Sequence, residues 1–169
     1  MADHDGLIAQ QIPRLRRYAR ALTGERTAAD DLVQDTLERA LTRMHLWRRG
    51  SDLRAWLFTI MHNVHVNQVR SRARRRQETL DAESDFEALR LRDPDWVELR
   101  DLGAALERVP DEQRAVLLLV GLEQFTYEEA ARILEIPIGT VMSRLSRGRE
   151  RLRLLMSGES PAPSLKAVK

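Results

Sequence analysis

Apolar residues recur at helical spacing in the amino-terminal half of the chain and predict three helices there. The first covers residues 7–22, where Pro13 marks either a kink or a late start, and Gly24 ends it. The second begins near Thr27, and the third is a long helix that Ser51 can cap. No segment alternates with the period of two that is typical of a strand, so the sequence predicts an all-α fold.

The carboxyl-terminal half contains a short helix, a tight turn and a second helix. Thr126 and Glu129 form a capping box at the start of the short helix, and Pro137 suits the restart after the turn. One face of the second helix is apolar or small: Val141, Leu145, Gly148, Leu152 and Leu155. The opposite face is polar or cationic: Thr140, Arg144, Arg147 and Arg151. The pattern predicts a helix-turn-helix whose second helix lies in a DNA major groove, and the alternative is a surface helix with a solvated arginine face.

Changes in composition divide the chain. Apolar content falls and acidic residues appear before Pro94, which predicts a flexible linker over residues 77–94. The polar end of the chain, residues 157–169, is expected to be a disordered tail. We therefore expect two small helical domains, residues 1–76 and residues 95–156, that fold separately on either side of the linker.

Composition also excludes several classes of function. The 169 residues are 43% hydrophobic and 32% charged and contain no cysteine, which excludes disulfides, thiolate zinc sites and a cysteine nucleophile. His62 and His65 are one helical turn apart, but no third ligand lies nearby in sequence, so we expect no metal. We expect neither a cofactor nor an enzyme, because the sequence has no Gly-rich phosphate loop and no plausible nucleophile–base pair.

The sequence also bears on location. No apolar run approaches the length of a membrane span, and the first residues lack the basic-then-apolar order of a secretory signal. We therefore expect a cytoplasmic protein without membrane insertion.

Four segments resemble the signature segments of extracytoplasmic-function sigma factors, the smallest members of the main bacterial sigma family: DDLVQDT at 30–36, LRAWLFTI at 53–60, FTYEEAA at 125–131 and PIGTVMSR at 137–144. The resemblance extends over about residues 5–156, with the segments in the right order and spacing. Residues 109–114 together with Gly121 are especially similar to the general-stress branch of that family. The resemblance implies that residues 1–76 are sigma region 2, a helical bundle, and that residues 95–156 are sigma region 4.

The resemblance implies that the core of RNA polymerase is a partner, through its β′ clamp coiled coil and its β flap. The surface that corresponds to the β′ contact is a polar, mostly acidic strip on the second helix: Asp30, Asp31, Gln34, Asp35 and Glu38. A negative strip suits a positive partner, because it steers the encounter and sets the register. The alternative is an ordinary solvated face with carboxylates near a helix start.

The resemblance also implies that region 2 recognises and melts the −10 promoter element. Opening DNA needs cations for phosphates, flat side chains for bases and a pocket for a flipped base. The residues at matching positions are Trp47, Arg48, Arg49, Arg54, Trp56 and Asn63. Trp56 also lies on the apolar stripe of its helix, so a core role stays open, and Trp47 stands where the family often has Phe. A following cluster predicts phosphate binding: Arg70, Arg72, Arg74, Arg75 and Arg76.

For region 4 the resemblance implies reading of the −35 element by the second helix of the helix-turn-helix. The expected contacts are Thr140, Ser143, Arg144 and Arg147, with Arg151 nearer the backbone. Arginine can bind guanine O6 and N7 with two hydrogen bonds, which makes it a base reader. Met142 and Ser146 stand where the family often has a basic and an aromatic residue, so the preferred sequence is expected to differ.

Regulation is expected to come from a separate anti-sigma factor, since the sequence offers no element for self-inhibition. Its expected contacts are the apolar edges of the acidic strip and the helix at residues 115–120. Two alternative functions stay open, namely a stand-alone helix-turn-helix regulator and a sigma mimic that sequesters an anti-sigma factor. The arginine cluster at residues 70–76 and the loop at residues 47–54, which resembles the part of the family that opens DNA, disfavour a stand-alone regulator. The intact arginines disfavour the second, as does the chain's length, which leaves no room for the receiver domain that such mimics carry.

Overall fold

The computed structural model describes residues 2–78 and 97–158. The seven helices of these ranges are α1 (Ala2–Thr23), α2 (Arg26–Thr42), α3 (Leu53–Glu78), α4 (Val97–Glu107), α5 (Asp111–Leu117), α6 (Tyr127–Leu134) and α7 (Ile138–Ser157). A 3₁₀ turn at Met44–Leu46 follows α2, and a π-helical turn at Leu118–Leu122 extends α5. The described ranges contain no strand, and the all-α prediction is confirmed.

The ends of the first helices follow from local chemistry. α1 runs through Pro13, so the late start is excluded, and Gly24 ends the helix at a left-handed φ of 72° as expected. The expected Ser51 cap of α3 is wrong. Asp52 directly precedes the helix, and its Oδ1 accepts a hydrogen bond from the Ala55 N–H at 3.1 Å. The Ser51 hydroxyl instead donates to the Arg48 carbonyl at 2.7 Å.

Helices α1, α2 and α3 pack together as the amino-terminal half, residues 2–78. Their buried stripes supply large aliphatic side chains with no exposure, among them Leu15, Leu32 and Leu57. Thr36 is also fully buried, and its hydroxyl donates to the Leu32 carbonyl at 2.7 Å, which satisfies the only polar group of that side chain. α3 continues to Glu78, beyond the expected end of the domain. The rest of the predicted linker, residues 79–94, lies outside the described residues.

Helices α4 to α7 form the carboxyl-terminal half, residues 97–158. The apolar run at residues 115–120 was expected to be part of a partner surface, but Val116 and Leu119 are fully buried and Ala115 and Leu118 nearly so. This run therefore belongs to the core that α7 covers. Most of the expected tail, residues 159–169, lies outside the described residues. Within residues 2–78 and 97–158, no helix is both long enough and apolar enough to cross a membrane.

The two halves pack against each other through a shared set of buried side chains. The sequence does not specify their relative placement, and the structure brings α1 and α3 of the first half against α4, α6 and the π turn of the second. Buried residues of both halves form one continuous cluster, from Leu15 in α1 to Leu145 in α7. The halves are thus distinct in chain order but joined by a common core.

Candidate nucleic-acid interface

The helix-turn-helix is held by hydrogen bonds at its start and its turn. The Thr126 N–H donates to Glu129 Oε2 at 2.8 Å, and the Glu129 N–H donates to Thr126 Oγ1 at 3.1 Å, which confirms the capping box. At the turn Glu135 adopts a left-handed φ of 54°, and the next N–H, of Ile136, bonds to the Ala131 carbonyl at 3.1 Å. Pro137 occupies the N-cap of α7 rather than its expected first helical position, a shift of one residue.

The two faces of α7 have different surroundings, as the sequence predicted. Val141, Leu145 and Gly148 are buried. Of the five expected DNA contacts, three are exposed and two are half-buried: Ser143, Arg147 and Arg151 in the first group, Thr140 and Arg144 in the second.

Arg144 is held differently from the other arginines of α7. Its Nη2 lies 3.6 Å from Glu112 Oε2 of α5, a long ion pair with an exposed carboxylate. Surface pairs of this kind stabilise little, about 0–1 kcal/mol. Arg144 can therefore leave Glu112 for a phosphate or a base at small cost, whereas Arg147 is already free to point outward.

The loop before α3 packs against the start of α1. The Trp47 ring meets the His4 ring edge-on, with centroids 5.9 Å apart, and its Nε1 is buried without a hydrogen-bond partner among the described residues. Arg49 donates from Nε to His4 Nε2 at 3.2 Å, and Arg48 is exposed. The two arginines therefore present cations close in sequence to a tryptophan, groups that can bind phosphates and stack on bases.

The other three expected −10 residues, all on α3, lie in different surroundings. Asn63 is exposed. Trp56 is half-buried and packs against the core, so the structural role left open by the sequence is real, although part of the ring remains accessible. The guanidinium carbon of Arg54 lies 4.0 Å from the centre of the Phe125 ring in the other half. Arg54 is therefore engaged with the other half of the protein, whereas Arg48 and Arg49 lie in the exposed loop before α3.

The acidic strip of α2 is exposed except for one member. Asp30, Asp31, Gln34 and Glu38 face solvent. Asp35 is half-buried, and its Oδ2 accepts a hydrogen bond from Gln68 Nε2 of α3 at 2.8 Å, which fixes the strip relative to α3.

An apolar edge lies next to the strip in sequence. Leu41 is 54% exposed, and Leu46 in the 3₁₀ turn is 65% exposed. Leu41 is three residues after Glu38 and therefore lies beside it on the helix surface. An apolar patch with a polar rim is the usual arrangement of a protein interface.

Comparison with known proteins decides the family. Residues 8–62 match the family model described as the Sigma2 domain of PhyR, and residues 99–152 match Sigma-70, region 4. The chain is 40% identical over 152 residues to the ECF RNA polymerase sigma factor EcfG of Rhodopseudomonas palustris, covering 88% of this chain and 82% of that protein. This protein belongs to the extracytoplasmic-function (ECF) family of RNA polymerase sigma factors.

Two further relatives support the assignment. The ECF sigma factor SigE of Mycolicibacterium smegmatis is 34% identical over 160 residues, which cover 90% of this chain and 61% of that one. Among solved structures, the sigma factor RpoE of Bartonella quintana in complex with the anti-sigma factor NepR superposes with a TM-score of 0.83 and 35% identity, covering 95% of this chain and all of that one. The similarity of this ECF sigma factor to EcfG agrees with the resemblance of residues 109–114 and Gly121 to the general-stress branch.

The arginine cluster at the end of α3 surrounds the helix instead of forming one face. All five residues of the cluster are exposed. Arg70 and Arg74 are four apart and share one side, and Arg72 and Arg76 share another. The cluster can therefore present charge to phosphates from at least two directions.

His65 contacts the other half of the ECF sigma factor, and His62 lies one helical turn before it on α3. His65 Nε2 lies 2.9 Å from Asp111 Oδ1 at the start of α5. Burial lowers the pKa of His62, and the neighbouring His65 lowers it further. Burial alone would raise the pKa of Asp111. The hydrogen bond and the charge of His65 outweigh burial, together with the charge of Arg114, and the pKa of Asp111 is lowered below its ordinary value. The described residues contain no group of three side chains suited to a metal.

Sequence reasoning did not find the residues that join the halves. Glu123 and Phe125 are both buried at the junction. Glu123 lies outside the four signature segments, and Phe125 is the first residue of the segment at 125–131, whose sequence does not indicate a contact with the other half. One signal was available: Glu123 is a charged residue directly after a long apolar run, where a carboxylate must find a partner if it is buried. That partner is Arg17, whose Nη2 lies 2.9 Å from Glu123 Oε1.

Proposed function

We propose that this ECF sigma factor reads the −35 element with α7 and directs initiation at the promoters so selected. The proposal rests on one observation: α7 has an exposed arginine face opposite a buried apolar face. The capped helix α6 and the turn at Glu135 hold α7 in this orientation. In this proposal Arg147 and Arg144 read bases, Thr140 and Ser143 add shorter contacts, and Arg151 binds phosphate.

We propose that the amino-terminal half opens the −10 element. Arg48 and Arg49 bind phosphates, Trp47 and Trp56 offer ring surfaces, and Asn63 helps to hold a flipped base, with Arg54 joining them once it leaves Phe125. The five arginines of the cluster at residues 70–76 bind phosphates. The exposure of Arg48, Arg49 and Asn63 supports this assignment, since a base or phosphate can approach each of them.

We propose that the acidic strip binds the β′ clamp coiled coil of core polymerase, and that the carboxyl-terminal half meets the β flap. The strip's exposure and the apolar edge formed by Leu41 and Leu46 support a protein partner there. The chain itself then performs no chemistry, since the polymerase does, and it works in the cytoplasm beside that enzyme. Residues 1–76 and residues 95–156 are the proposed domains, joined by residues 77–94.

We further propose control by an anti-sigma factor, because the Bartonella quintana relative was solved with one bound. The acidic strip with Leu41 and Leu46 is a suitable surface for such a partner, and it is also the surface proposed for core polymerase. Binding of the two partners would then be mutually exclusive. Purification of the protein from unstressed host cells should recover such a partner, and recovery of only free protein and holoenzyme would contradict it.

A sigma mimic is the second candidate, favoured by the match of residues 8–62 to a domain of PhyR. Run-off transcription with purified core polymerase on genomic DNA separates the two. A sigma factor yields discrete transcripts, and Arg147→Ala should reduce them. Arg149→Ala is the matched control, because Arg149 is exposed on the same helix but outside the proposed set. A mimic would yield no transcript with any variant.

A further inference from the structure

The loop before α3 has a fixed backbone at residues 48–51. Gly50 adopts a positive φ of 89°, and the Ser51 N–H donates to the Arg48 carbonyl at 3.0 Å, which closes a β-turn with Arg49 at its corner. The Ser51 hydroxyl donates to the same carbonyl at 2.7 Å. The turn fixes the point at which the Arg49 side chain leaves the backbone, but such a long side chain can still adopt many rotamers.

His4, in the first turn of α1, contacts two side chains of this loop. The Nε–H of Arg49 donates to His4 Nε2 at 3.2 Å. The His4 and Trp47 rings meet edge-on, with centroids 5.9 Å apart and an angle of 83° between their planes. His4 and Arg49 are 45 positions apart in the sequence, so their contact requires the folded protein.

The contact with His4 leaves Arg49 able to bind a phosphate. An arginine side chain carries five N–H donors, and His4 accepts from the one on Nε. The four donors on Nη1 and Nη2 lie outside this contact, and they can bind a phosphate with two parallel hydrogen bonds. Arg49 as a whole is exposed. His4 therefore restrains the guanidinium without occupying the groups that face DNA in the proposed function.

His4 also helps to hold Trp47. The Trp47 Nε1 is buried and has no hydrogen-bond partner within residues 2–78 and 97–158, so packing rather than hydrogen bonding holds the indole. An edge-on pair of rings is attractive beyond the area that it buries, and it covers at most one face of the indole. Trp47 is only half-buried, so part of its surface is left for a base.

We propose that His4 is a positioning residue for the opening of the −10 element, because it holds Arg49 and Trp47 in the orientation in which they meet DNA. The inference rests on the proposed function, which gives a phosphate to Arg49 and a base to Trp47. Side chains that are already ordered lose less conformational entropy on binding, so the contact favours opening. His4 itself lies outside the four signature segments.

The direction of the hydrogen bond determines which substitutions separate the two contacts. Because Arg49 donates, His4 Nε2 carries a lone pair, and the imidazole is neutral with its proton on Nδ1. His4→Gln keeps an acceptor in its amide oxygen, His4→Phe keeps a ring for Trp47 without an acceptor, and His4→Ala removes both. His4 is not part of the buried core, so all three variants should fold, which circular dichroism verifies.

The first test follows opening of the −10 element by reconstituted holoenzyme on a promoter that the unchanged protein transcribes. A fluorescent base analogue in the element reports the unstacking of the base. We expect His4→Ala to slow opening roughly two- to tenfold, the range for losing the order of one side chain. His4→Gln and His4→Phe should each restore part of the rate. Gln10→Ala, at an exposed position of the same helix, should leave the rate unchanged.

A double-mutant cycle decides whether His4 acts through Arg49. If it does, His4→Ala should slow opening less in a chain that also carries Arg49→Ala than in the unchanged chain. Two losses that simply multiply, or a His4→Ala rate equal to that of Gln10→Ala, would overturn the inference and leave the proposed function in place. A rate unaffected by Arg49→Ala would instead refute the proposed role of Arg49, and the inference would fall with it.

A measurement on the free protein tests the contact without DNA. The heteronuclear nuclear Overhauser effect of the Arg49 Nε–H reports its motion on the picosecond to nanosecond timescale. We expect a restrained Nε–H in the unchanged chain and in His4→Gln, and a mobile one in His4→Ala and His4→Phe. The Nε–H of Arg48, an exposed arginine of the same loop, should be unaffected by every variant. An Arg49 Nε–H that is equally mobile in all of them would overturn the positioning role.

Discussion

Gly148 of α7 lies directly against Leu117 of α5. A methyl group added at Gly148 would be 3.0 Å from Leu117 Cδ1 and 3.1 Å from its Cγ, closer than such carbons normally approach. The middle of α7, the helix that carries the arginines proposed to read the −35 element, therefore packs against α5 through the smallest residue available. Because α7 cannot move away without uncovering Val141 and Leu145, the orientation of the arginine face depends on this contact.

Gly148→Ala should therefore destabilise the protein relative to Gly139→Ala, in which the added methyl meets nothing within 4 Å. Overpacking typically costs about 1–3 kcal/mol, and the gain in helix propensity applies to both variants. The free energy of unfolding is measured in urea for each. If Gly148→Ala is at least as stable as Gly139→Ala, α5 and α7 are not in close contact at this point.

The capping box predicts a second, local loss of stability. Thr126→Ala removes the hydroxyl that accepts from the Glu129 N–H and should cost about 1 kcal/mol, within a usual range of about 0.5–2 kcal/mol. Thermal unfolding followed by circular dichroism measures it. Ser146→Ala, at an exposed position of α7, serves as the control and should change little. A loss no larger than that of the control would show that the cap contributes nothing.

Much of the helical plan could be predicted because it depends on local rules. The capping box, the Gly24 stop and the two faces of α7 each involve residues within a few positions of one another, where helix periodicity and side-chain reach decide the outcome. The Ser51 cap was wrong for an equally local reason: Asp52 is one residue closer to the helix and carries a stronger acceptor.

The junction between the halves could not be predicted, because its contacts join residues far apart in the chain. Arg17 and Glu123 are 106 positions apart. Nothing in the periodicity of α1 distinguishes Arg17 from its exposed neighbours Arg16 and Arg20. The same limit explains the run at residues 115–120, because an apolar surface is equally suited to a partner protein and to α7 of the same chain.

Stability should fall when the pH drops below about 6.5, the ordinary pKa of histidine, because the pKa of His62 is lowered in the folded protein. The unfolded chain then binds a proton that the folded protein does not, and unfolding becomes easier until the pH reaches the folded pKa. The lowered pKa of Asp111 acts in the same direction at more acidic pH.

His62→Gln should flatten the dependence of the free energy of unfolding on pH just below pH 6.5, whereas substitution of the exposed His45 should not. An unchanged slope in His62→Gln, measured from urea unfolding at a series of pH values, would rule out this assignment.

The two sets of arginines should respond differently to the sequence of the DNA. Arg147→Ala is expected to weaken binding of the reconstituted holoenzyme to a cognate promoter by about 1–3 kcal/mol, the worth of a good bidentate base contact, with a smaller loss on a scrambled sequence. Arg74→Ala with Arg75→Ala should weaken binding to both DNAs alike, because a phosphate carries no sequence information.

The salt dependence provides an independent check, since each lost phosphate contact lowers the slope of log K against log salt by about 0.9. Affinities at several salt concentrations on both DNAs give all of these quantities. Equal losses on the two DNAs for Arg147→Ala would remove Arg147 from the base-reading set, and an unchanged slope for the double variant would show that the end of α3 does not touch the backbone.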